Sequence, residues 1–167
     1  MRLLQLAAFC VLSNTASLPA FAEQSQEYFT QAVQICVDFG NDGFFVTDRL
    51  EVLGWVSSHS DAYGTDIMSS PEKSVLVVPP PEGADMPATC TVISDKLSLI
   101  EASESVQKVV SSSNVDYQLL SNQGCSEFDF FGPMKIQVWS GSKAGACSDP
   151  NNPRVDIITL VDPVADQ

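Results

Sequence analysis

The sequence predicts a single α+β domain, an antiparallel sheet with helices packed on one face, held by two disulfides. Three observations lead there. Apolar residues recur at helical spacing in the first third and the middle of the chain, while short β-branched runs bounded by proline and glycine occupy the segments between and after. Helices and strands are grouped instead of alternating one for one, which favours an antiparallel sheet over a parallel one. An even set of cysteines remains once an N-terminal leader is set aside.

That leader is residues 1–22. Arg2 supplies a positive start, residues 3–12 an apolar run, and Ala20-Phe21-Ala22 a small-residue cleavage site. The run is about ten residues, half of what a membrane-crossing helix needs, so the sequence predicts a cleaved signal and no membrane span. Cys10 raises a lipoprotein alternative, but Phe9 stands where a small residue is required and the apolar run before it is too short. The mature domain is then residues 23–167, periplasmic or secreted, beginning at Glu23 with no free thiol.

Of the five cysteines, Cys10 leaves with the leader, and Cys36, Cys90, Cys125 and Cys147 remain. An oxidising compartment favours disulfides among them. Three pairings are open. Cys36 with Cys90 and Cys125 with Cys147 is preferred, because each pair ties neighbouring parts of one half of the chain. A metal site would need close cysteine pairs or histidines beside them, and neither is present.

Losing Arg2 takes the net charge from −13 to −14. Such a surface repels nucleic acid and anionic lipid. The acids are scattered, which reads as a solvated surface.

The elements follow in order. Ser25 is placed to cap a first helix carrying Phe29, Ala32, Val33, Cys36 and Val37 on one face and stopping near Gly40. Thr47 is expected to cap a shorter helix with Leu50 and Leu53, ended by Gly54, and Trp55 opens an extended stretch. Residues 74–78 and 88–93 read as two strands joined by the stiff proline-rich segment 79–87. Ser98 and Glu101 form a capping box for a third helix with Leu99, Ala102, Val106, Val109 and Val110 on its apolar stripe. Met134, Ile136 and Val138 alternate with Lys135, Gln137 and Trp139 in a strand, and residues 155–161 form the last one.

Motifs for chemistry are incomplete. His59, the one histidine, lies in Ser57-Ser58-His59-Ser60-Asp61, so His59 and Asp61 with a serine offer the residue types of a small periplasmic hydrolase. They are too close in sequence to converge easily on one substrate. A distant Ser142 would have to join, and Gly141-Ser142-Lys143-Ala144-Gly145 puts lysine where a nucleophile elbow needs serine. Ser70-Pro71-Glu72-Lys73 matches S-x-x-K without the partner motifs of that chemistry. The segment from Asp38 resembles a calcium loop through Asp42, Gly43 and Phe45, but Gly40 and Arg49 occupy ligand positions. Asp149, Asn151 and Asn152 read as a turn. No phosphate-binding glycine loop, dinucleotide fingerprint or selected carboxylate pair stands out, and no cofactor is expected.

Two aromatic clusters beside glycines remain: Phe44-Phe45, and Phe128, Phe130 and Phe131. Core packing is the simpler reading of both; the alternative makes them the candidate binding surface of a non-enzymatic exported protein that takes a small ligand or another envelope protein.

Overall fold

The computed structural model describes residues 19–82, 87–113, 115–122, 125–132, 134–140, 147 and 151–160. Cys10, Ser142 and its glycine neighbours, Asp149 and Val161 lie outside the described residues, as does most of the expected leader. Three helices and one eight-stranded antiparallel sheet make up the domain: α1 Pro19–Phe39, α2 Gly43–Val52, β1 Val56–Ser60, β2 Thr65–Ser69, β3 Val75–Val78, β4 Ala88–Ser94, α3 Leu99–Ser112, β5 Gln118–Asn122, β6 Cys125–Asp129, β7 Met134–Ser140 and β8 Pro153–Thr159. The strand order is β1-β2-β3-β4-β8-β7-β6-β5. The sheet is therefore two four-strand meanders, each entered from a helix, whose last strands β4 and β8 pair with each other.

Helix α1 follows its apolar period. Phe29, Ala32, Val33 and Cys36 are buried. The helix begins well before Ser25, which is 4% exposed and extends the same stripe one turn upstream. Ser25 is thus part of the buried stripe and not the cap. Gly40 ends α1, its N–H donating to the Cys36 carbonyl at 2.8 Å.

The cap of α2 also differs from expectation. Asp42 is extended and its carboxylate accepts the Phe44 N–H at 2.9 Å, so Thr47 falls inside the helix. The early start is permitted by Gly43: a Cβ there would stand 1.9 Å from the Pro80 carbonyl oxygen. Only a glycine lets the first turn of α2 press against the 79–81 connection. With that start, the buried residues become Gly43, Val46 and Leu50, and Leu53 turns to solvent. Gly54, at φ +84°, closes the helix as expected, donating to the Glu51 carbonyl at 2.9 Å.

Helix α3 has the expected capping box. The Glu101 carboxylate accepts both the N–H and the hydroxyl of Ser98 at 2.7 Å, and the Ser98 oxygen accepts the Glu101 N–H at 3.3 Å. These bonds, first the backbone one and then the hydroxyl, favour the charged form and hold the Glu101 carboxyl below its ordinary value of 4.5. The stabilisation is therefore present above pH 4.5 and is lost as pH falls through the depressed value. Ser98→Ala should cost about 1 kcal/mol at neutral pH. Urea titrations should show that difference shrinking at acidic pH, where Glu101 is protonated in both proteins.

The sheet face under the helices is the core. The register aligns Val77, Val92, Val155 and Val138 across β3, β4, β8 and β7, and Cys90, Ile157, Ile136 and Phe128 across β4, β8, β7 and β6. All eight are at most 1% exposed. Cys36 of α1 is bonded to Cys90 of β4, and Cys125 of β6 to Cys147, which is the pairing preferred from sequence. The first bond fastens α1 directly onto the centre of the sheet.

Three strands, β2, β5 and β6, escape the sequence reading, while β1 is the extended stretch expected after Trp55. The outer pairs β1–β2 and β5–β6 are polar hairpins such as VSSHS and CSEFD, without a β-branched run. The Ser70–Lys73 segment is the turn between β2 and β3. The buried Ser70 hydroxyl oxygen accepts the Ser74 and Val75 N–H groups at 3.1 Å, and Lys73 stands at φ 56°. The S-x-x-K match is therefore a turn device.

Candidate functional site: an exposed helix face

The two aromatic clusters part company in the fold. Phe128 and Phe130 are 1% and 8% exposed and stack against Tyr117, with ring centroids 5.7 and 6.0 Å away. They belong to the core and not to a binding surface. Of that cluster only Phe131 reaches solvent, in a left-handed turn at φ 53° where its N–H donates to the Asp129 carboxylate.

Phe44 and Phe45 stay exposed, by 56% and 48%. They follow from the cap: because Asp42 starts the helix, Gly43, Val46 and Leu50 face inward and the phenylalanines between them face out. Phe45 packs edge-on to Phe44 and tilts onto Phe39 of α1, with centroids at 5.6 and 6.4 Å. Two turns later Val52 and Leu53 are also exposed, and Val56 continues the apolar surface onto β1. Arg49 lies among them, its guanidinium 5.4 Å from the Phe39 ring centroid. Three large apolar side chains exposed on a ten-residue helix, with a fourth at its C-cap, invert the usual amphipathic arrangement. Sequence reasoning found Phe44 and Phe45 but missed Val52 and Leu53. The seven-residue interval between Phe45 and Val52 carried the signal.

His59 is in β1, an edge strand, with a side chain 61% exposed. Its ring Nδ1 is 2.9 Å from Asp66 of β2, its cross-strand partner. Asp61, the neighbour expected from sequence, is 4.0 Å from Nε2. A carboxylate at Nδ1 is the partner that orients a histidine acting as general base, here with Asp61 on the side of Nε2. Among the described residues no serine hydroxyl is hydrogen-bonded to the ring, so two parts of a triad are together without an aligned nucleophile. A small cleft of about 220 Å³ beside it is lined by Ser57, Asp66, Met68, Thr47 and the 79–81 prolines.

The strongest polar constellation is on the sheet face away from the helices, where sequence gave no warning. Asp156 of β8 is 7% exposed and accepts three bonds: from the Thr91 hydroxyl at 2.6 Å, the Trp139 indole N–H at 2.7 Å and Arg154 Nε at 3.0 Å. The guanidinium also sits 4.7 Å above the Trp139 ring. Donors on three strands converge on this carboxylate, so the group staples β4, β7 and β8 together. Glu127, Lys135 and Gln137 make a second cross-strand cluster, at 3.2 and 2.8 Å. The residues once aligned with a calcium loop are occupied otherwise: Asp42 caps α2, and Asp38 accepts from Gln34 at 3.0 Å. No group of three metal-ligating side chains occurs among the described residues.

A shallow groove of about 690 Å³ between α1 and α3 is lined by polar and charged residues, among them Glu23, Glu27, Gln34, Glu104 and Lys108. No helix among the described residues is long and apolar enough to cross a membrane. No protein-family model matches the chain, and no curated protein or solved structure matches it.

Proposed function

We propose that the chain is an exported, non-enzymatic binding protein that docks another protein through the outer face of α2. The observation that carries this is the exposure of Phe44 and Phe45 beside Val52 and Leu53, while Phe128 and Phe130 of the other cluster are drawn into the core. Burying such side chains releases about 1.5–3 kcal/mol each when complete, so half-exposed phenylalanines leave binding free energy unspent in the isolated domain. Aromatic residues and arginine are also the types that dominate protein interfaces. Two disulfides support export, since such bonds persist in oxidising compartments. The negative charge of the chain favours a protein partner over nucleic acid or an anionic membrane surface.

The test is a Phe44→Ser, Phe45→Ser double variant compared with the native chain in its own envelope fraction. Half-exposed rings should cost at most about 1 kcal/mol each in stability, while association with the partner should be lost. An unchanged set of co-purifying proteins, together with unchanged self-association of the variant, removes the reading.

A further inference from the structure

We infer that the partner docked on α2 is a second copy of this chain, placed parallel to the first about a two-fold axis running along the helices. The inference rests on the docking reading above and adds the occupant and its orientation. Phe45 and Val52 are seven residues apart, two helical turns, and so share one azimuth as the midline of the exposed stripe. Asp48 and Arg49, four residues after Phe44 and Phe45, fall on opposite flanks of that midline. Both are exposed, and neither joins an ion pair among the described residues. Phe44 and Glu51 lie on the Asp48 side, and the C-cap Leu53 on the Arg49 side. The charges of the face are therefore acidic on one flank and basic on the other, about an apolar midline that Phe44 widens towards the acidic side.

A two-fold axis parallel to the helices brings the left flank of one copy against the right flank of the other. Asp48 then meets the second copy's Arg49, and Arg49 the second copy's Asp48, while Phe45 and Val52 meet their own equivalents across the axis. This is the self-matching that a two-fold interface requires. An antiparallel pair would set Asp48 against the second copy's Asp48 and Arg49 against its Arg49, two repulsions in place of two attractions. The charge pattern thus selects both the occupant and its direction. One short helix face per copy is a small interface, so the association is expected to be weak and concentration-dependent.

Sedimentation equilibrium of the full mature chain, at concentrations up to roughly 1 mM, provides the test. The native chain should shift from monomer to dimer across that range. Asp48→Arg alone and Arg49→Asp alone should each weaken dimerisation by about tenfold, because two pairs turn repulsive at once. The double exchange Asp48→Arg, Arg49→Asp restores opposite charges across the axis and should bring the dissociation constant back to within about twofold of native. Both side chains are solvent-exposed, so unchanged melting curves would confirm folding of all three variants. A monomer at every concentration overturns the proposal, as do single variants that dimerise like the native chain or a double variant as weak as the singles. If the chain is monomeric yet envelope proteins are still retained through Phe44 and Phe45, the second copy is wrong and the docking reading stands. If retention is also indifferent to Phe44 and Phe45, both fail.

Discussion

Replacing Cys36 and Cys90 together with alanine should lower the unfolding free energy by about 4 kcal/mol, and the melting temperature by about 12 °C. The bond closes a loop across 54 residues of sequence, so its loss frees a large part of the unfolded chain. Cys36 and Cys90 are 1% and 0% exposed, with Cα atoms 5.7 Å apart at the contact of α1 with β4. The corresponding removal of Cys125 and Cys147, only 22 residues apart, should cost about 3 kcal/mol, with less core disturbed because Cys125 is half-buried. Urea unfolding of the two double variants under non-reducing conditions measures both. An equal or reversed order would show that loop length and burial do not set the contribution of these bonds.

Asp156→Ala should destabilise by about 3 kcal/mol, the cost of leaving buried donors without their acceptor. The Trp139 indole N–H would lose its only hydrogen bond in a residue 4% exposed, and Thr91 and Arg154 would lose theirs beside it. The carboxylate cannot be replaced by water without opening the face that Arg154 covers by stacking on Trp139. Asp156→Asn keeps the shape and one acceptor oxygen, so it should cost about half as much. Denaturant titration reads both values. A change below about 0.5 kcal/mol for the alanine variant, the range of ordinary surface substitutions, would mean that the cluster is formed but not needed.

What could be read from the sequence follows from how strongly each element depends on its own residues. Helices α1 and α3 were legible because each buries a stripe at 3.6-residue spacing, and the Ser98–Glu101 box fixes its helix start within four residues. The inner strands β3, β4, β7 and β8 were legible because both central meanders need β-branched residues on the core face. The outer hairpins were legible only in the extended stretch after Trp55: β1 is exposed along nearly its whole length, and its strand character comes from pairing with β2 rather than from burial. At α2 the choice between Asp42 and Thr47 as cap depended on Pro80, almost forty residues later, whose carbonyl meets Gly43. That displacement of the helix start decided the candidate site as well, since it turned Phe44, Phe45 and Leu53 outward together. The burial of Phe128 and Phe130 was similarly set by a partner distant in sequence, Ile136 across the strand pair and Tyr117 above it.

The two meanders share one seam, and neither disulfide crosses it. Cys36–Cys90 lies wholly in the part of the chain that ends with α3, and Cys125–Cys147 wholly in the part that follows. A single peptide-bond cut between α3 and β5 would therefore produce two fragments, each keeping its own cross-link. Among the described residues they would be joined by the β4–β8 ladder, the Ser98–Asn151 bridge, the Thr91–Asp156 bond spanning 65 residues, the Arg154–Thr91 bond and the packing of helices over both. Covalently the molecule is two stapled modules on one thread, and its unity as a domain is entirely non-covalent.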